Sequence, residues 1–377
     1  MAAILADYEK SLGLSPGIQN PSWSQYVSFI TKYRHLIQDV STKLDDCFMS
    51  LEQMDAQSPL YFSIRYRTIV EEKSSQSIKD EFLGRLNDAI EVQPVARRKV
   101  LVLLRLEVLK AFEMRSELIA TLVSFDSDGQ WIQDSTYIRF RARVYAEVEG
   151  KIFDAIRTLE AYKRVSKETS TVKLLGEYLC FAQRTNDAQK LLDQCKSLLD
   201  DDDRSDLQEQ IDSANGHHDR VLASIRNMKS IAIYEAGFAV VETHTLIKLG
   251  QYEEAERVAR NLLGPAHFPL RFATLIINFE LASLHLHRKV DKPRLSKVAQ
   301  YTETDSLTRM CAFLLLDDKA KAAEEFEAAV RKDKTAVYTV ADWAIWDVLS
   351  TRVWRDEFLR TQGMGDGVAL IDLRKAG

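Results

Sequence analysis

Glycine and proline are scarce in this chain, at 14 and 7 of 377 residues. β-Sandwiches and barrels turn often and need many of both, so the shortage argues against them and for long helices with short connections. Cysteine is scarcer still. Cys47, Cys180, Cys195 and Cys311 lie far apart without metal-ligand spacing. They read as reduced packing thiols, with a Cys180–Cys195 bridge across one helical pair as the minor alternative. No uncharged run approaches the ~18 residues of a membrane span. The short apolar start, Met1 to Ala6, lacks a basic leader and meets Asp7 and Glu9 at once, so no signal peptide is expected and the reading is a soluble, cytoplasmic protein. Basic charge is not in excess either. A net charge of −5 gives no general affinity for a phosphate backbone and argues against a nucleic-acid partner.

Catalytic signatures are missing as well. The chain has no Gly-x4-Gly-Lys-Ser/Thr, no His-Glu-x2-His, no Gly-x-Ser-x-Gly and no Cys-x2-Cys. No catalytic residue, metal ligand or cofactor is therefore expected, and the chain is not read as an enzyme. Asp126-Ser127-Asp128-Gly129 opens like a calcium loop, but Trp131 stands at the sixth position and Tyr137 at the twelfth, where Gly and Glu are needed. It reads as a turn with Gly129 left-handed. His217-His218-Asp219 sits at a helix–helix turn, and His285 and His287 diverge by about 200° on one helix, so neither pair converges on a metal. Asp200 to Asp203 with Asp206 read as a solvated run that favours a helix N-terminus, a cation site or basic partner being the alternative.

What the chain does have is 46% apolar and 28% charged residues, dominated by good helix formers. At this length it is either two domains or an elongated stack. A motif returns through it: a small residue, an aromatic or aliphatic, then Ala. It is clearest at Gly250-Gln251-Tyr252-Glu253-Glu254-Ala255 and Gly150-Lys151-Ile152-Phe153-Asp154-Ala155. Ala155, Ala188, Val221, Ala255 and Ala322 stand 33, 33, 34 and 67 residues apart, the last being two periods. A fixed period of this size means stacked two-helix units. The small residue lets the second helix lie close to the first.

With the turn Gly250, Tyr252 and Ala255, and with the Leu175-Gly176 pair twelve residues before Ala188, the chain resembles the tetratricopeptide repeat (TPR) family over roughly residues 100 to 335. The resemblance implies an all-α fold, a right-handed α-solenoid of TPR-like helical hairpins with divergent helical N- and C-terminal caps. It departs from the family pattern where the helix-ending proline is displaced, Pro265 being a near match. It departs again where Lys289-Val290-Asp291-Lys292-Pro293 lengthens or shifts a turn.

The chain divides on this reading into four segments: a helical cap, or further hairpins too diverged to recognise, over 1–100, the array over 101–335, a capping helix over 336–360 and a Gly-rich tail over 361–377. Within the first, Ser22 to Met54 reads as one long amphipathic helix, with further helices over 60–72, 78–92 and from 95 to 112 or beyond. The aromatic run from Val337 to Leu359 fits the capping helix. Gly363, Gly365 and Gly367 lack the strand and helix of a phosphate loop and read as a loose tail or a segment that pairs with a partner's sheet edge.

In this family first helices line an inner groove. The resemblance places Arg139, Arg143, Lys173, Glu177, Val240 and His244 there. Arg139 and Arg143 share a face and suit either an acidic guest or ion pairs with neighbouring helices. Glu177, Val240 and His244 depart from the basic clamp some relatives use for a C-terminal carboxylate. The mixed groove suits an extended segment or helix with apolar anchors and a few charge pairs. The expected function is a non-catalytic scaffold or adaptor that holds a protein or peptide segment. A structural component of a virion or secretion machine, self-associating through the C-terminal helix and tail, and a peptide-sensing regulatory module are the alternatives.

Overall fold

The computed structural model describes residues 2–14, 20, 22–32, 37, 39–72, 74–127, 131–162, 165–229, 235–263, 272–301, 304–340, 343–348 and 352–361. Among these every regular element is helical. The chain divides into two compact units, Met1–Ile132 and Gln133–Gly377.

The first unit holds α1 (Ala2–Leu14), α2 (Ser22–Lys32), α3 (Val40–Asp55), α4 (Pro59–Glu71), α5 (Gln76–Val92), α6 (Val95–Ala111) and α7 (Arg115–Asp126). The single helix expected over 22–54 is two. It breaks at a bend at Ile37 and a turn at Asp39, whose φ of 54° is left-handed, a conformation that a short polar side chain tolerates better than most. Consecutive helices pack in order, and α2 meets α4 and α4 meets α6. Each hairpin's first helix therefore lies against the next hairpin's first helix, as in the repeat array. Ser58 starts α4 by accepting the N–H groups of Leu60 and Tyr61, with Pro59 preset for the first turn. The core is aromatic: Phe62 meets Phe82 edge-on at 5.8 Å, and Phe82 meets Phe112 at 6.3 Å. Gly129 and the turn expected around it lie outside the described residues.

The second unit pairs α8 (Ser135–Arg143) with α9 (Ile152–Glu160), α10 (Thr169–Phe181) with α11 (Thr185–Cys195) and α12 (Asp201–Ala214) with α13 (His218–Lys229). It continues with α14 (Glu235–Lys248) and α15 (Tyr252–Leu263), α16 (Ala273–His287) and α17 (Lys292–Gln300), then α18 (Ser306–Leu315) and α19 (Lys319–Lys332). Each hairpin touches the next in order, α9 to α10 through α17 to α18. First helices also meet directly, α8 with α10, α10 with α12, α14 with α16 and α16 with α18. These are the contacts of a solenoid of TPR-like hairpins.

One residue at most of the hairpin turns explains the period. Glu113, Gly150, Gln183, Gly216, Gly250, Arg288 and Asp317 all have φ between 54° and 74°. A left-handed residue there ends the first helix and lets the next N–H reach back to its last turn. Met114, Arg184, His217, Gln251 and Asp318 donate to the carbonyls of Leu109, Leu179, Asp212, Leu246 and Phe313 at 2.8–2.9 Å. At Gly150 the ladder is one residue wider, Lys151 N–H to Tyr145 O at 2.7 Å, because Val144–Val148 form a π-helical turn. Five residues after the left-handed position stand Leu118, Ala155, Ala188, Val221, Ala255 and Ala322, none more than 4% exposed. The irregular turn between α16 and α17 is lengthened: Arg288 is left-handed, Asp291 caps α17, and Leu295, fully buried, takes the alanine's place.

Gly176 serves a different purpose. A Cβ there would stand 2.6 Å from Leu207 Cδ1, so the glycine lets α10 approach α12. The four cysteines are buried free thiols. Among the described residues no helix is long and apolar enough to cross a membrane.

The segment after α19 is not the single capping helix expected over 336–360. Among the described residues it is three short helices, α20 (Ala336–Val340), α21 (Ile345–Val348) and α22 (Arg352–Thr361). A cap needs a polar outer face. Here Val337, Tyr338, Val340, Ala344, Ile345 and Trp346 are all buried, and a helix apolar on every side goes inside. The glycine-rich tail from 362 lies outside the described residues, as does Pro265.

Candidate inner-face site

The first helices of the second unit carry all six expected groove residues, on α8, α10 and α14. The structure gives them three different fates.

Arg139 and Lys173 are tied to acids further along the chain. Arg139 Nη1 lies 3.3 Å from Glu168 Oε2 and 3.3 Å from Thr171 Oγ1, and Lys173 Nζ pairs with Asp203. Each cation thus clamps its own first helix to the start of the next. Such half-exposed pairs contribute about 0–1 kcal/mol each. The aspartate run is used the same way: Asp200 accepts the Asp203 N–H at 2.7 Å and caps α12.

Arg143 and Glu177 belong to a second group. Burial comes first in raising the Glu177 pKa, and the neighbouring Glu147 and Asp333 carboxylates push the same way while Arg143 opposes them. The buried Tyr178 hydroxyl beside them has no hydrogen-bond partner among the described residues. Burial, then the same carboxylates, raise its pKa.

Two contacts beside this group reveal what the sequence did not show. Lys334 N–H donates to Glu147 O at 2.8 Å, and Tyr338 stacks on Phe181 at 5.7 Å. Further on, α21 packs on α16, and Trp346 Nε1 donates to Val340 O at 2.6 Å. Lys334 and Tyr338 therefore meet the π-helical turn after α8 and the end of α10, and α21 meets α16. The signal was legible in principle, since Ala336 to Trp346 has no consistently polar side.

Val240 and His244 meet the third fate. They border a cavity of about 210 Å³ between α14, α16 and α18, closed on one side by Trp343, Ala344 and Ile345. Ile277, Leu281 and Cys311 supply much of its apolar wall, and Thr274, Asn278 and Thr308 supply polar atoms. Asn278 Nδ2 donates to Val240 O and to Thr243 Oγ1, both at 3.0 Å. The cavity lies among first helices of the second unit.

The histidines have local roles. His285 stacks on Tyr252 at 3.6 Å, His287 Nε2 lies 3.2 Å from Glu256 Oε2, and His217 Nδ1 lies 3.6 Å from Asp212 Oδ1. Among the described residues no cluster of His, Cys, Asp or Glu is arranged to hold a metal ion.

No family model matches the chain, and no curated protein matches it. Among solved structures it is similar to a chain in the structure of Naa15/Naa10 bound to HypK-THB, at 13% identity and a TM-score of 0.32. That match covers 97% of this chain and 64% of the other, so the chain spans less than two thirds of its neighbour's length. It is also similar to the P58(IPK) TPR domain, at 14% identity and a TM-score of 0.23, covering 96% of this chain and 94% of that one. At these scores neither likeness bears on function.

Proposed function

We propose that this chain is a non-catalytic scaffold that grips a segment of a protein partner on the inner face of its second unit, at the cavity bordered by Val240 and His244. The observation that carries the reading is the interrupted filling of that face. Lys334 and Tyr338 contact it at the ends of α8 and α10, while an apolar hollow with a few polar atoms is left between α14, α16 and α18. A guest that adds an apolar anchor there and charge pairs at the rim fits the mixed lining. Arg143, exposed next to Glu177, is the inner-face cation best placed to meet an acidic group of the guest, since Arg139 and Lys173 already hold acids of the chain.

The test is affinity purification of the intact chain, with bound proteins quantified by mass spectrometry. Val241, 42% exposed at the cavity, is replaced by Glu, and Val92, 63% exposed in the first unit, serves as the control. A partner recovered at fixed stoichiometry should be lost with Val241→Glu and kept with Val92→Glu. Equal recovery in both variants would refute the placement.

A further inference from the structure

We propose that the cavity between α14, α16 and α18 is a binding site for a planar aromatic group carrying a single hydrogen-bond donor, in class an indole or a phenol. The inference shares its location with the scaffold reading, but it concerns the chemistry of the hollow and is tested on the chain alone.

The size comes first. An apolar cavity of about 150 Å³ takes up benzene. At about 210 Å³ this one has room for a six-membered ring and a few further atoms. The walls from Val240, Ile277, Leu281 and Ile345 offer such a ring apolar contact on several sides.

The polarity comes from tracing the side-chain hydrogens of the amide and hydroxyl groups; the rings of His244 and Trp343 border the cavity besides. Asn278 is 5% exposed. The Val240 carbonyl can only accept, so the amide NH2 must face it, and the second amide hydrogen goes to Thr243 Oγ1. Thr243 in turn donates to Ala239 O at 2.7 Å. Asn278 Oδ1 is thereby turned the other way, and no donor among the described residues reaches it. Thr308 Oγ1 donates to Asp305 Oδ2 at 2.7 Å, so in its 3.3 Å contact with Thr274 the hydrogen comes from Thr274. Asn278, Thr274 and Thr308 have therefore committed their side-chain hydrogens to the protein and offer only acceptor oxygens. A ring with no donor would leave Asn278 Oδ1 dry, which is unfavourable for a buried carbonyl. One N–H or O–H on the ring satisfies it. Water is a poor substitute, because a buried water needs two to four polar partners and most of this lining is apolar.

The same ring chemistry comes from a free small molecule or from a Trp or Tyr side chain of the guest segment. The test uses the intact chain with indole as probe, monitored by calorimetry and thermal unfolding. Indene, the same shape without the N–H, is the comparison. We expect saturable indole binding that raises Tm, with indene about fivefold weaker, the effect of one net hydrogen bond. Val240→Phe fills the hollow without touching the backbone carbonyl and should abolish binding. Asn278→Leu should bring indole and indene to equal affinity. Should Asn278→Leu fail to fold, the indole–indene ratio and Val240→Phe still decide the matter. N-acetyltryptophanamide separates the sources: binding like indole points to a side chain on a partner's backbone, and exclusion with indole retained points to a free molecule.

Absence of saturable indole binding, equal affinity for indole and indene in the unaltered chain, or undiminished binding by Val240→Phe would each overturn the inference. If indole fails to bind while Val241→Glu still loses a stoichiometric partner, the scaffold reading stands and only this inference falls.

Discussion

Replacing Gly176 by alanine sets two opposed effects against each other. In the middle of α10 alanine is favoured over glycine by about 1 kcal/mol. The new Cβ, however, would lie 2.6 Å from Leu207 Cδ1 and 3.0 Å from Cδ2. Leu207 is 2% exposed on α12 and has little room to turn away. Overpacking of that kind costs about 1–3 kcal/mol. The net expectation for Gly176→Ala is a loss of about 0–2 kcal/mol. The clash is isolated by repeating the change in a Leu207→Ala background. That background is itself weaker by about 2–5 kcal/mol, but it has no methyl groups to strike. There Gly176→Ala should stabilise by the full helix term of about 1 kcal/mol. Urea unfolding of the four proteins, monitored by far-ultraviolet circular dichroism, gives the coupling between the sites, expected at about 1–3 kcal/mol. If Gly176→Ala stabilises both backgrounds equally, α10 and α12 do not approach as described and the direct packing of first helices is wrong.

The remaining predictions concern turns, charge and buried polar groups. Gln183→Gly and Asp317→Gly should each stabilise by about 1 kcal/mol, and Gly250→Ala should destabilise by a similar amount, because L-residues are strained where φ is near 60°; thermal unfolding checks the sign. The raised pKa of Glu177 means the folded state holds that proton more tightly than the unfolded state. Its contribution is present below the ordinary carboxylate value and lost as pH rises through the raised one, so Glu177→Gln should flatten the decline of stability above about pH 4.5 and should stabilise the chain at pH 7. Fully buried Glu280 accepts Arg294 Nη1 at 2.6 Å and the Asp291 N–H at 2.8 Å. Arg294→Met leaves that carboxylate without its cation and should cost about 3 kcal/mol in urea unfolding. Tyr178→Phe removes a buried hydroxyl with no partner among the described residues, and its midpoint should stay level or rise by the equivalent of up to about 1 kcal/mol.

The helical class and the hairpin order were legible because they depend on local spacing. Ala155, Ala188, Val221, Ala255 and Ala322 mark where second helices must lie close, and that requirement survives wherever a small side chain is read. The turns were less legible. Of the eight left-handed positions among the described residues three carry glycine, whereas Asp39, Glu113, Gln183, Arg288 and Asp317 hold the same conformation without it. The bonds that close the turn stabilise a geometry that the residue alone would not choose. Hence the hairpin of α6 and α7 escaped notice, and so did the break at Asp39 in what reads as one amphipathic helix.

The site residues divide along the same line. That Arg139 and Arg143 stand one turn apart on α8 comes from helical periodicity, which depends only on positions a few residues apart, and the placing of all six residues on first helices comes from the repeat register. What each meets there is a long-range matter. Glu168 and Asp203 take up Arg139 and Lys173 from the next hairpin, and Asp333, far along the chain, adds its charge to Glu177. The destination of residues 333–340 and 343–346 was undecided for the same reason. The sequence shows an apolar segment that must be buried, and it cannot say whether that segment covers the array's end or lies against its first helices. Burial is rewarded equally in either place, and only the arrangement of α8, α10 and α16 in space determines which surface is within reach.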